Sequence, residues 1–338
     1  MNQPPEESVI VSEQSLLAFA TSCFERAGVP TEHAAIVARL LVNCDLRGVR
    51  SHGTRQVNGY CKQFDDGILN PIPKIQIVRE TAAVVAVDGD GGLGYVPMVQ
   101  ATEMAITRAR DVGLGMATVR GIGHYGSAGH YCRMCMEAGC IGFSVQGSVG
   151  HGNASGSPSK PQLAYFGNPP ICFALPGKES AGVVLDAATR ILADYQNGPE
   201  FDALIPVIPA AFFKSVGYTA VAALMGGGLA GVMERSDEAR QRWPRARGGG
   251  TILAIRIDAA VDEEAFREEV DRMVRDVGET YEPFPGLDRA LLPGTIEAER
   301  FEQYRRQGVP FGAGEQEQVQ EVCMRLDVPL PWADPLRD

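Results

Sequence analysis

The stretch "VAVDGDGGLGYVPMVQ", residues 85–100, sets Gly89, Gly91 and Gly94 in the G-x-G-x-x-G spacing, after an apolar run that reads as a strand and before one that reads as a helix. Such a turn can cradle a pyrophosphate at a helix N-terminus, or it can only let a strand pack closely on a helix. A Rossmann unit also wants an acidic residue near the end of the next strand, to take the ribose hydroxyls. Here that strand, "GMATVRG" at 115–121, ends in Arg120, which counts against NAD but leaves open an arginine that seeks the extra phosphate of NADP.

Around this turn the chain alternates strands and helices. "TAAVVAV" leads into a helix over 95–111, "GMATV" into one over 127–138, and "CIGFSVQG" into a Gly/Ser/Pro loop at 148–161 and the strand "GVVLD". A helix from about Lys214, the strand "GGTILAIRI", the helix "DEEAFREEVDRMVRDVGE" and a charged helical tail over 295–326 follow. Residues 12–66 instead carry apolar positions at helical spacing, with Ser12, Thr31 and Ser51 as candidate N-caps. The expected fold is α/β: a mixed-sheet domain over 76–254, inserted into a helical domain built from 1–75 plus 255–338.

The 338 residues carry a net charge of −11, which argues against nucleic acid as a partner, because phosphate backbones are held by clustered Lys and Arg. A small anionic substrate is compatible, since one or two local arginines can hold it. Glu6 and Glu7 stand where a secretory leader would carry basic residues, so a cytoplasmic location is expected. The uncharged run Ser215–Met233 nears the roughly 20 residues of a membrane span. Its five glycines favour a buried helix in a soluble protein. Cys132 and Cys135 form a CxxC near Cys140, His124 and His130, but no second pair completes four ligands. They are read as small apolar side chains on a helix, with no metal.

Three polar groupings stand out. In "DLRGVRSHG" a Gly-broken loop brings Ser51 and His52 to an expected helix start, where an imidazole could exchange a proton with a substrate oxygen, although a cap and a surface histidine are the plainer reading. In "VRGIGHYGSAGHY" a strand ends in a glycine turn carrying His124. In "VVLDAATR" Asp186 and Thr189 end an apolar strand, either facing a site or closing an Asx turn.

In this order, with "FGNPPICFALPG", "FKSVGYTAVAALMGGGLAG", "ILAIRID" and "LPGTIEAERFEQYRRQGVP", these stretches resemble the type-2 malate/L-lactate dehydrogenase family, from about residue 12 to 330. That family includes ureidoglycolate, sulfolactate and diketogulonate dehydrogenases and cyclic-imine reductases. The resemblance implies a mixed-sheet fold that is not a Rossmann fold, a homodimer or larger oligomer, and NAD or NADP in a cleft. It implies His52 as the acid/base residue with Ser51 beside it, His124 lining the same pocket, and Asp186 supporting the substrate or the imidazole. Ala188, Thr189 and Lys214 would approach the cofactor, and Gly294 and Thr295 its far end. Arg190 would offer charge to a 2′-phosphate, tilting the expectation towards NADP.

The carboxylate of a small 2-oxo or 2-hydroxy acid, or of a cyclic imino acid, would fall to Arg47, Arg50 or Arg55. The family's usual arginine four residues after the histidine is Gln56 here. The family's Gly-Thr-Asn-Pro reads "FGNPP", the residue after Lys214 is Ser215 rather than Gly, and the span from Asp186 to Lys214 is short. Those departures support an alternative: a homologue that has lost nicotinamide binding and performs non-redox chemistry on a related acid, or only binds it. Because the cofactor contacts map to 188–214 and towards the C-terminus, the opening glycines are read as a tight strand-to-helix turn.

Overall fold

In the computed structural model the described residues are 4–148, 167–192, 196 and 198–332. The loop expected at 148–161 falls, after Ser148, outside them.

Strand β1 (Val9–Val11) precedes helices α1 (Glu13–Arg26) and α2 (Thr31–Leu46). After two 3-10 turns comes α3 (Val57–Asp65), and then β2 (Gln76–Glu80), β3 (Val84–Asp88), α4 (Tyr95–Val112), β4 (Leu114–Ile122), α5 (Gly129–Glu137) and β5 (Cys140–Ser148). Strands β6 (Pro170–Leu175) and β7 (Val183–Ala188) lead to the short helices α6 (Pro199–Asp202) and α7 (Leu204–Val207) and to α8 (Pro209–Ala223). The chain ends through α9 (Asp237–Arg242), β8 (Gly248–Arg256), α10 (Glu263–Thr280), α11 (Thr295–Gln307), β9 (Val309–Phe311) and α12 (Ala313–Leu326).

Strands β2 to β8 form one seven-stranded sheet in the order β2-β3-β4-β8-β5-β6-β7. Only β3 and β4 pair in parallel, through α4; every other neighbour is antiparallel. The fold is therefore α/β with a mixed sheet, and it lacks the successive parallel crossovers of a Rossmann domain. The two chain ends meet: β1 pairs antiparallel with β9, α12 packs on α3, and α11 packs on α2. The sequence pattern shows neither three-residue strand: β9 sits inside the helical periodicity of 295–326, and β1 is a three-residue apolar run ahead of residue 12.

Ser12 caps α1 as expected, accepting from Ser15 N at 3.0 Å. Thr31 does not cap α2; Pro30 holds that position and no side chain caps it. The helix expected from Lys214 begins earlier, at Pro209, whose fixed φ suits a first turn. Nor is the apolar run after it simply buried. Gly226 and Gly227 press on β5, where a Cβ on Gly226 would lie 2.4 Å from Gly147 N, but Phe213, Tyr218, Val221 and Leu224 are exposed. No single helix among the described residues is long and apolar enough to cross a membrane; one pair, Pro199–Val207 and Pro209–Gly228, meets the length and composition but bends by 99°. Cys132 and Cys135 are buried thiols on α5.

The opening turn does lie in a β-α-β unit, yet its backbone is already spoken for. Gly89 N donates to Arg120 O, Gly91 N to Gly121 O and Gly94 N to His124 O, each at 2.9 Å, and Gly123 N returns a bond to Gly92 O at 2.9 Å. The donors that would cradle a pyrophosphate thus bind the end of β4. Arg120 is not a free phosphate ligand either, since it pairs with Asp88 at 2.9 Å and Glu234 at 3.0 Å. Gly91 has φ +80°, and a Cβ there would sit 2.1 Å from Trp243 Cδ1. Gly91→Ala is expected to lower the thermal midpoint by several degrees, reflecting about 1–2 kcal/mol for the left-handed backbone plus displacement of the indole, while nucleotide affinity stays within about twofold. Normal melting with lost affinity would contradict this.

Candidate active site

The Ser51–His52 loop is built from beneath. Asp45, buried in the last turn of α2, accepts from Thr54 N at 2.9 Å and Thr54 Oγ1 at 2.6 Å. Burial nevertheless pushes its carboxyl up to about 7, against the pull of those two bonds. Gly53 has to be glycine, because a Cβ would lie 1.7 Å from Asp45 Oδ1. The chain leaves α2 through Gly48 at φ +70° and makes two 3-10 turns, Arg50–His52 and Thr54–Gln56, so α3 starts only at Val57. Ser51 is therefore not the cap of that helix. Its Oγ hydrogen-bonds His52 Nδ1 at 2.8 Å, and Gln56 Nε2 donates to Ser51 O at 2.7 Å. The His52 pKa is lowered, by burial rather than by a helix terminus, with Asp186 opposing.

His124 stands opposite, with ring centroids 5.4 Å apart. Its Nδ1 is hydrogen-bonded to Tyr60 OH at 2.6 Å, and Tyr60 OH lies 3.3 Å from Tyr95 OH. Burial raises the pKa of both phenols, so they stay protonated. Crowding by protein and the neighbouring His52 push the His124 pKa down to about 4. The residue is nevertheless exposed, and contact with solvent opposes the shift. Among the described residues neither imidazole has a partner on Nε2.

Asp186 lies within β7, not at its end, and it closes no Asx turn. Its Oδ2 accepts from Ser127 Oγ and, at 2.8 Å, from Gly129 N in the first turn of α5. A cavity of about 550 Å³ opens beside this carboxylate. Its wall includes Cys44 and Arg47 of α2, His130 and Arg133 of α5, and Gly294 and Glu297 around the start of α11. Neither His52 nor His124 lines it, but His52 is within electrostatic reach of Asp186.

A sequence profile of malate/L-lactate dehydrogenases matches residues 11–196. The chain belongs to that family. L-sulfolactate dehydrogenase of Methanocaldococcus jannaschii is 28% identical over 326 residues, covering 89% of this chain and 93% of that one. A malate dehydrogenase of Pyrococcus horikoshii is 36% identical over 187 residues, 55% of this chain and 51% of its own length. The solved structure of malate dehydrogenase from Pyrococcus horikoshii superposes with a TM-score of 0.82 at 25% identity, covering 97% of this chain and 98% of that one.

Within this dehydrogenase fold the residues expected near the cofactor gather along β7, the edge strand of the sheet. Ala188 ends the strand and is exposed. Thr189 is buried, its N and Oγ1 both donating to Pro169 O, and Arg190 N donates to Asn168 Oδ1 at 3.1 Å. Ser215 Oγ donates to Thr189 O at 2.8 Å and accepts from Ile191 N at 2.9 Å, which brings the exposed Lys214 of α8 alongside. Gly294 takes φ +96° at the start of α11, where a Cβ would lie 2.9 Å from Val184 N, and Thr295 follows it as the first helical residue.

Of the three arginines expected to hold a carboxylate, Arg47 lines the cavity, whereas Arg50 pairs with Glu315 of α12 and Arg55 lies 3.8 Å from the same carboxylate. The sequence gives no reading of Tyr60 or Arg133, marks Ser127 only as a helix start, and offers His130 only as a metal ligand. Tyr60 is indistinguishable from a core aromatic by pattern. Arg133, three residues after His130 on one helix face, stands among cysteines that read as an apolar helix face.

Because the folded His124 pKa lies below the ordinary 6.5, the unfolded chain binds more protons between those values, and stability falls as pH drops through that window. The thermal midpoint of the wild type is expected to fall from pH 7 to pH 5 more steeply than that of His124→Gln. Parallel curves would contradict the depressed pKa.

Proposed function

We propose that this chain is an NAD(P)-dependent oxidoreductase acting at C2 of a small 2-oxo or 2-hydroxy acid, or of a cyclic imino acid, with His52 as acid/base. The observation that carries the reading is the pair of imidazoles, 5.4 Å apart, each with Nδ1 committed and, among the described residues, Nε2 without a partner, His52 being within electrostatic reach of the Asp186 that lines the cavity. Membership of a dehydrogenase family supplies the reaction class.

The nicotinamide, when bound, supplies or accepts the hydride at the substrate's C2. An extended dinucleotide would run along the edge strand β7 from Lys214 towards Gly294 and Thr295, at which end Val184 N donates to Pro293 O. Arg190 beside Thr189 favours the 2′-phosphate of NADP. Ser51 fixes the ring of His52 through Nδ1, so that Nε2 exchanges the proton with the substrate oxygen or nitrogen. In oxidation a neutral His52 takes the hydroxyl proton; in reduction its imidazolium returns one. Asp186, which offsets part of the burial penalty on that imidazolium, makes the reverse step accessible.

Titration with NADH and NADPH by fluorescence is expected to show saturable binding, tighter for NADPH, that survives His52→Ala. The same variant is expected to lose at least about 100-fold in turnover of a panel of 2-oxo acids. An unchanged rate would move the proton role to His124. Absence of binding for both nucleotides at millimolar concentration would overturn the oxidoreductase reading and leave non-redox chemistry or simple ligand binding.

A further inference from the structure

The arginines around the cleft differ in what already occupies them. Arg50 and Arg55 turn to Glu315. Arg47 donates through Nε to Asn43 Oδ1 at 3.0 Å and lies over the Phe301 ring at 4.5 Å. Arg133 is half-buried in the cavity wall and, among the described residues, has neither a hydrogen-bond nor an ion-pair partner. A guanidinium that has lost part of its water and found no acceptor is costly unless a ligand supplies one. Its position is defined by Gly129: a Cβ there would lie 2.5 Å from Arg133 Nη1 and 2.8 Å from Asp186 Oδ2. The open fork and the Asp186 carboxylate thus approach one point at the start of α5 without forming an ion pair.

We propose that Arg133 grips the substrate's carboxylate, an inference that rests on the oxidoreductase reading above and supplies the cation that Gln56 does not. Gln56 cannot serve as a cation, and its amide is spent on Ser51 O. The fork of Arg133 matches a carboxylate in two parallel hydrogen bonds. Asp186 and Glu297 repel an anion from the rest of the wall, while Arg47 adds a second positive charge from α2. The carboxylate of a small acid held by Arg133 is turned away from Asp186, the carboxylate that acts electrostatically on His52.

Calorimetric titration with malonate tests this without any turnover. Arg133→Leu is expected to weaken malonate binding about 10- to 100-fold, the range for a hydrogen-bonded charged pair, and Arg133→Lys to recover part of it as a point charge. NADPH affinity is expected to stay within twofold in both. Should Arg133→Leu not fold, judged by its thermal midpoint, Arg133→Gln carries the same comparison. Malonate affinity unchanged in the variant, or no binding to the wild type at tens of millimolar, overturns the proposal. Intact malonate binding with no nucleotide binding in the wild type would instead sink the oxidoreductase reading and leave Arg133 standing as an anion ligand.

Discussion

Four backbone hydrogen bonds between the 89–94 turn and residues 120–124 hold the site's second imidazole in place. They run at 2.9 Å each, in both directions, and require glycine because the two segments approach closer than a Cβ allows: one on Gly89 would meet Ile122 Cγ2 at 2.4 Å, and one on Gly94 would meet Tyr125 Cα at 2.9 Å. With β4 pinned this way, His124 emerges at a fixed height above the sheet, and Tyr60 can reach its Nδ1 from α3. The motif that most resembles a phosphate cradle spends its amides on placing a histidine.

The opposite wall relies on a different device. The Asp45–Thr54 contact stacks the Ser51–His52 loop on the end of α2, so both imidazoles are anchored through their loops and their Nδ1 atoms. Burial then acts in one direction on both histidines, favouring the neutral ring, while Asp186 restores part of the charge tolerance on His52. Asp186 itself is oriented by Ser127 and the amide of Gly129, and so belongs equally to the sheet edge and to α5. That double attachment joins the cavity carrying Arg47 and Arg133 to the two imidazoles.

The sequence made the layers legible where hydrophobic period and glycine turns agree: the α/β alternation, the helical chain ends, and the ordered motifs around His52, His124 and Asp186. It misled where geometry depends on partners distant in sequence. Ser51 reads as a helix cap because the two 3-10 turns after it leave no periodic trace. Arg50 and Arg55 read as substrate ligands because Glu315, some 260 residues later, is invisible from their neighbourhood. Tyr60 and Arg133 carry no local signal, since their meaning comes from which ring or cavity the fold turns them towards.

The central claim is hydride transfer at C2 of a small acid. Incubation of the protein with nicotinamide nucleotide carrying deuterium at the transferring C4 position, and with a panel of 2-oxo and cyclic 2-imino acids, tests it directly by mass spectrometry of the products. The account predicts one deuterium at C2 of a 2-hydroxy or 2-amino product, at one face of the nicotinamide only. Product lacking the label, or no product from any acid while the nucleotide remains bound, would contradict it.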